Sequence, residues 1–264
     1  MIEVDIPYNS MDTCGTGGDG KSSLNISTAV AFVLAGFGIP IAKHGNRSIT
    51  SNCGSADVLN SLKINIDLEV SRLTECIDRT GICFMFAPKH HPAMRHVAEA
   101  RKILGKLGKK TIFNVLGPLL NPGDVKKQIV GVYDKEVLDI YSKVFKKIKD
   151  KKAFIINGFD GMDELSTEGS NIIKFDNNEF ILDPNELNIE KPVIDELIGK
   201  HPEYNASRII DIFSGVKDSF YEIVAFNASI GIVLHKDLEL NLKNILLCIE
   251  HAKDVMDSGA ALKT

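Results

Sequence analysis

The residues of this chain that could do chemistry fall into three short runs. The first, Asp12 to Thr28, reads DTCGTGGDGKSSLNIST. Gly15, Gly17, Gly18 and Gly20 surround Thr16 and Asp19, and Asn25, Ser27 and Thr28 open an apolar stretch of helical pattern. Glycines let backbone approach a ligand closely. A following helix N-terminus adds unpaired N–H groups and the positive end of a dipole. Together they make a cradle for phosphate or pyrophosphate. The second run, Lys43-His44-Gly45-Asn46-Arg47, ends a short apolar stretch. Lys43 offers phosphate a point charge and Arg47 a planar fork; His44 and Asn46 can hydrogen-bond a second substrate. The third is the adjacent pair Asp163-Glu164, in a glycine-containing loop after Ala153–Ile156. A solvated turn is the plainer account of such a pair. If it is buried, the two charges repel and need a cation or a cluster of donors, and their hard oxygens suit Mg²⁺ carrying a phosphate ligand.

Two familiar patterns overlap the first run. Gly15–Gly20 satisfies G-x-G-x-x-G, and Gly15–Ser22 satisfies G-x-x-x-x-G-K-[ST]; both are short enough to arise by chance. The dinucleotide reading wants an acidic residue closing the next strand, to hold a ribose. Ile39–Ala42 is followed instead by Lys43-His44. The P-loop reading wants a strongly apolar strand before the glycines and a helix beginning at Lys-Ser. Met11-Asp12-Thr13-Cys14 is a poor candidate for a buried strand, and the helical pattern starts only after Asn25. Ser27 or Asn25 would serve as an ordinary helix cap, but Thr28 adds a hydroxyl that capping does not need.

These runs must be brought together by the elements around them. Ile39–Ala42, Ile82–Ala87, Gln128–Tyr133 and Ala153–Ile156 read as buried strands. Between and after them lie helical patterns over Ser27–Gly36, Ala56–Leu62, Leu68–Arg79, Pro92 to about Leu104, and Val137–Lys147. Asp67 is placed to cap the helix before Gly81, and Gly81 to end it. Thr111–Pro122 is rich in turn residues yet apolar, which marks a tightly packed loop. Ile172–Phe175 and Glu179–Leu182 flank Asp176-Asn177-Asn178 as a hairpin. The C-terminal third is helical over Ala206–Phe213, Ser219–Leu234 and Leu238–Asp257, and residues 183–203 read as loop and short helix. Alternating strands and helices predict an α/β fold: a helix-flanked, mainly parallel sheet with a mixed edge, whose ligands gather at the carboxyl ends of the strands.

Composition narrows the classes. At 264 residues with 44% hydrophobic and 25% charged content, the chain can build a sizeable soluble core as one large domain or two small ones. A net charge of −4 does not favour nucleic acid as a partner. The basic runs Lys106–Lys110 and Lys146–Lys152 read as solvated helix ends. Five cysteines, an odd number with no C-x-x-C pair, argue against a disulfide framework and a zinc site and favour a reducing, cytoplasmic compartment. No apolar run looks like a signal peptide or reaches membrane length.

The string GTGGDG…NIST followed by KHGNR resembles the anthranilate phosphoribosyltransferase family. GSADVL, FAPKHHPAM, TIFNVLGPLLNP and GMDELS agree with it, so the resemblance covers nearly the whole chain. It implies the helix-flanked sheet shared with nucleoside phosphorylases, plus a small helical domain. The implied activity joins anthranilate to 5-phosphoribosyl-1-pyrophosphate (PRPP) with release of pyrophosphate, the second step of tryptophan synthesis from chorismate. On this resemblance Gly15, Thr16, Gly17, Gly18, Asp19, Asn25, Ser27, Thr28, Lys43 and Ser55 contact PRPP. Gly15, His44, Asn46, His91 and Arg101 contact anthranilate. Ser27, Asp163 and Glu164 hold Mg²⁺, with two ions expected alongside PRPP. The aromatic amine is already a nucleophile, so no general base is assigned.

Family members carry several more helices ahead of the glycine loop, which here begins at Gly15. Residues 1–264 are therefore expected to form essentially one α/β catalytic domain, with roughly 92–125 contributing to a residual small helical domain. The homodimer expected of full-length members would use those further helices. A truncated chain, a naturally short one and an upstream start codon all stay open. Two other functions also stay open. A pyrimidine nucleoside phosphorylase-like enzyme would use free phosphate and a nucleoside. A non-catalytic relative that binds nucleic acid would show a broad basic face and lack the magnesium ligands. The acidic glycine loop and the Asp163-Glu164 pair favour metal and PRPP over both.

Overall fold

The computed structural model describes residues 1–48, 52–109 and 111–264, except the side chains of Lys102 and Lys106, so the basic run reaching Lys110 lies partly outside the described residues. Seven strands form one sheet in the order β3-β2-β1-β4-β5-β6-β7. They are β1 Met11–Gly15, β2 Ile41–Gly45, β3 Ile82–Phe86, β4 Lys127–Gly131, β5 Lys152–Asn157, β6 Asn171–Phe175 and β7 Asn178–Leu182. The first five run parallel, while β6 and β7 are antiparallel and make the mixed edge. The chain lays β2 and β3 on one side of β1, then returns to lay β4 and β5 on the other. That reversal opens a crevice beyond the carboxyl ends of β1 and β4, where α/β sheets bind ligands.

The central strand is the one that the sequence made look least like a strand. Asp12 and Thr13 are fully or nearly buried in β1, at positions where apolar side chains would be expected. Their polar atoms are all engaged. The Asp12 carboxylate accepts the Asn121 side-chain amide at 2.8 Å and the His44 backbone N–H at 3.2 Å. Thr13 Oγ1 donates to the Ser27 carbonyl at 3.0 Å. Buried polar groups are tolerated once hydrogen-bonded, and here the partners come from distant segments that periodicity cannot show.

Side chains alternate across the sheet and split the core. On one face Met11, Ile41, Phe84, Ile129, Phe154 and Ile156 pack under α1 Ile26–Gly36, α9 Ser219–His235 and α10 Leu242–Asp257. Helices α1 and α9 are buried on nearly every side, as an inner layer must be. On the other face α3 Val70–Thr80 covers Ala42, Cys83 and Met85, and α6 Lys135–Phe145 covers Val130, Ala153 and Ile155. Among the described residues all five cysteines are free thiols, and no helix is long and apolar enough to cross a membrane.

Local expectations hold with adjustments. Gly81 ends α3 at φ 78°, but Glu69 rather than Asp67 occupies the N-cap and makes no side-chain cap. The single helix expected from Pro92 is a 3-10 turn, Pro92–Val97, followed by α5 Ala98–Lys106. The Thr111–Pro122 loop folds as two 3-10 turns, Ile112–Asn114 and Gly117–Leu120, and then delivers Asn121 to Asp12.

Candidate functional site

The crevice holds about 230 Å³ of open space at the strand ends. From β1 and its loop come Gly15, Gly17, Gly18 and Asp19; from the start of α1, Asn25, Ser27 and Thr28. The end of β2 supplies Lys43, His44 and Asn46, and the start of α2 Ser55–Ser61 supplies Ser55. Asp163 and Glu164 close the floor. Most of the residues expected at the site thus meet in one cleft. Thr16, His91 and Arg101 are not in its lining. The Thr16 N–H donates to the Gly131 carbonyl at 2.9 Å and ties the glycine loop to β4. His91 stands behind His44, ring centroids 5.1 Å apart. Arg101 stacks on Phe113 at 5.5 Å. Arg47, read from sequence as a phosphate fork, pairs with Asp57 at 2.9 Å and lies over Phe86. This pairing directs the guanidinium to Asp57 on α2.

The carboxylates owe their position to two glycines. Gly15 and Gly131 are register partners at the ends of β1 and β4. A β-carbon on Gly15 would collide with the Asp163 carboxylate, and one on Gly131 with the Asp163 backbone. The loop after β5 therefore lies directly over both strand ends. Asp163 Oδ2 accepts the Gly17 N–H at 2.7 Å. Carboxylate oxygens of Asp19, Asp163 and Glu164 all lie within 4.8 Å of one another. Burial, reinforced by repulsion from its neighbours, raises the pKa of Asp163, and the same two causes raise Glu164 further. Glu164 Oε2 and Asp19 Oδ2 are buried without a hydrogen-bond partner. Crowded, desolvated, unpartnered hard oxygens are the donor set of a divalent cation.

Opposite them the site is cationic. Lys43 is 3% exposed. Its ammonium donates to the Thr13 carbonyl and lies 3.5 Å from Ser27 Oγ. Burial lowers its pKa, while the Asp12 and Glu164 charges act in the opposite direction. Asn25 takes the N-cap position of α1, but its side chain does not cap the helix. The amide turns to the Cys53 carbonyl at 3.2 Å, so the cap expected from sequence is not made. Thr28 Oγ1 is buried and unpartnered. Helix start, lysine and glycine loop converge as an anion would require.

His44 is 8% exposed. Burial, then the nearby His91 and His90, push its pKa down to about 3. The ring is neutral at physiological pH, and its buried Nε2 has no partner.

Several functional supports escaped the sequence reading. Gly131 was legible only as part of a strand. Asn227, 6% exposed within α9, clamps the carboxylate loop by accepting from the Leu165 N–H at 2.8 Å and donating to the Leu165 carbonyl at 2.9 Å. An amide inside the apolar run Phe226-Asn227-Ala228 was the available signal. The segment read as loop and short helix before α8 Pro202–Phe213 walls one side of the cleft: Leu24 N–H donates to the Leu197 carbonyl, and Gly199 N–H to the Ser22 carbonyl. Gly199, Lys200 and Asn205 line the cleft from there.

Comparison with known proteins gives a consistent result. Residues 7–262 match the family described as glycosyl transferase family, a/b domain. An anthranilate phosphoribosyltransferase of Pelagibacter ubique is 43% identical over 228 residues, 85% of this chain and 68% of that protein. The solved anthranilate phosphoribosyltransferase of Saccharomyces cerevisiae in complex with PRPP and Mg superposes with a TM-score of 0.91 at 32% identity, covering 99% of this chain and 73% of that one. The yeast enzyme in complex with 4-fluoroanthranilate superposes with a TM-score of 0.86 at 30% identity, covering 98% and 72%.

Proposed function

Because this chain belongs to the anthranilate phosphoribosyltransferase family, we propose that its cleft transfers the 5-phosphoribosyl group of PRPP to the amine of anthranilate, releasing pyrophosphate. The observation that carries this reading is the meeting, at adjacent strand ends, of a glycine loop, an uncapped helix start, a buried lysine and three crowded carboxylates. A nucleoside phosphorylase using free phosphate does not need that carboxylate cluster, and the described residues of the cleft do not form a broad basic face.

Gly15, Gly17 and Gly18 would hold the pyrophosphate, and Asn25, Thr28 and the start of α1 the 5-phosphate. Asp19, Asp163 and Glu164, with Ser27 in the same cleft, would hold the metal. When bound, Mg²⁺ offsets charge building on the departing pyrophosphate. The reading takes two ions alongside PRPP, as the family resemblance implies. Lys43 adds a fixed positive charge that costs no reorganisation during reaction. The aromatic amine attacks C1 of the ribose as the C1–oxygen bond breaks and positive charge spreads over the ring. Neutral His44 offers Nε2 as an acceptor for an amine N–H, and Asn46 lies beside it; no residue is assigned as general base. His91 backs His44. Arg101, which lies on Phe113 outside the cleft lining, is assigned to the anthranilate carboxylate on the family resemblance. Residues 1–264 form essentially one α/β catalytic domain, to which roughly residues 92–125 add helices of a small helical domain.

The test is loss of anthranilate fluorescence on adding PRPP and Mg²⁺, with a metal-free control. Metal-dependent consumption is expected. A folded sample that consumes none, or that phosphorolyses a pyrimidine nucleoside instead, overturns the reading.

A further inference from the structure

Asn205 lies far from the sequence runs that mark the site, yet it is 1% exposed and lines the cleft from the α8 side. Its Oδ1 accepts the Lys200 backbone N–H at 2.8 Å. Its Nδ2 donates to Asn25 Oδ1 at 3.0 Å. Asn25 Nδ2 in turn donates to the Cys53 carbonyl at 3.2 Å. The direction of this chain is set at both ends. A backbone N–H can only donate and a backbone carbonyl can only accept, so neither amide can turn over without breaking bonds at both of its ends. Asn25 Nδ2 carries two hydrogens and spends one on Cys53. Asn25 is partly exposed and lines the cleft.

We propose that Asn205 is a positioning residue that locks the Asn25 amide with an N–H, not an oxygen, toward the phosphate end of PRPP. This rests on the reading of the cleft given above. With Asn25 turned over, its carbonyl oxygen would face the phosphate oxygens, so one donor would be replaced by a repelling acceptor. Asn205 also pins the Lys200 backbone, and with it the wall of the cleft, to the same helix start.

The discriminating variant is Asn205→Asp. Its carboxylate still accepts from Lys200 but cannot donate to Asn25 Oδ1, so Asn25 turns over. At pH 8 the KM for PRPP is expected to rise about tenfold, the scale of a hydrogen bond to a charged group, with the KM for anthranilate changed less than about twofold. Toward pH 5.5 the protonated Asp donates again, and the defect shrinks relative to the native protein at the same pH. Asn205→Ala gives a smaller defect that does not depend on pH. Adding Asn205→Asp to Asn25→Ala gives no further loss in KM for PRPP, because Asn205 acts through Asn25. Equal losses for both substrates, a pH-independent defect in Asn205→Asp, or full additivity with Asn25→Ala would each overturn the proposal. If the native protein shows no transferase activity, the activity reading fails by itself; calorimetric titration with Mg²⁺ and inorganic pyrophosphate, then with inorganic phosphate, still tests the relay. Native affinity for phosphate in a folded Asn205→Asp protein overturns it; weakened affinity supports it. If Asn205→Asp does not fold, Asn205→Ala carries the titration, with the same two outcomes.

Discussion

The Gly17 backbone N–H donates to Asp163 Oδ2 at 2.7 Å, joining two loops that lie 146 residues apart in the chain. One end of this bond lies in the glycine loop and the other in the cluster of crowded carboxylates. Asp163 keeps further lone pairs on its two carboxylate oxygens while it accepts this bond. The geometry of this contact rests on the positive φ of Gly17, 64°, and on the absence of a side chain on Gly15.

Asp163→Asn keeps an acceptor for Gly17 and removes one of three crowded charges. Turnover is expected to fall at least about a hundredfold and to lose its dependence on Mg²⁺, since a carboxylate ligand is lost. The metal-free fold should become more stable at pH 8, because burial and repulsion hold the Asp163 pKa above its ordinary value and that charge opposes folding above it. Melting curves without metal, with an activity titration in Mg²⁺, check both parts. Normal activity in this variant would sink the metal assignment.

Gly131→Ala places a methyl group against the Asp163 backbone. The strand has neighbours on both sides and should hold, so the loop must lift. Activity at saturating PRPP is expected to drop about tenfold or more, in line with the sensitivity of catalysis to small misplacements. A higher Mg²⁺ requirement should accompany the drop. The same substitution at Gly105, where a β-carbon meets nothing, is the control and should leave both unchanged.

His44 predicts an acid-side loss of stability. Its folded-state pKa is pushed down to about 3, below the unfolded value near 6.5, so the unfolded chain binds the extra proton first. The contribution is fully present above pH 6.5 and declines as pH falls toward 3. Between pH 7.5 and 5 it amounts to about 2 kcal/mol for this one group. The raised pKa values of Asp163 and Glu164 act with the opposite sign on the acid side, so the measurement is a difference: denaturant unfolding of the native protein and His44→Gln at both pH values. The native protein should lose about 2 kcal/mol more than the variant over that interval. Equal losses would show that His44 titrates normally.

The three chemical runs, the alternation of strands and helices, the hairpin edge and the family were all legible in the sequence, because each is local. Glycine spacing, apolar runs and adjacent carboxylates are properties of neighbouring residues, and the phosphate cradle needs only a loop and the helix that follows it. What sequence alone could not decide was set by contacts between distant segments. Asp12 and Thr13 looked wrong for a central strand because their partners, Asn121, His44 and Ser27, come from elsewhere. Arg47 reads in sequence as a phosphate fork, and its pairing with Asp57 comes from a separate helix. Asp19 meets Asp163 and Glu164 only because Gly15 and Gly131 let the carboxylate loop settle on the strand ends. Asn205 and Asn227 gave almost no local sign, since a buried amide takes its role from the bonds it makes. The sequence by itself determined which chemistry the chain carries; the tertiary structure decided which groups face each other, because burial and hydrogen-bond direction exist only after the segments have met.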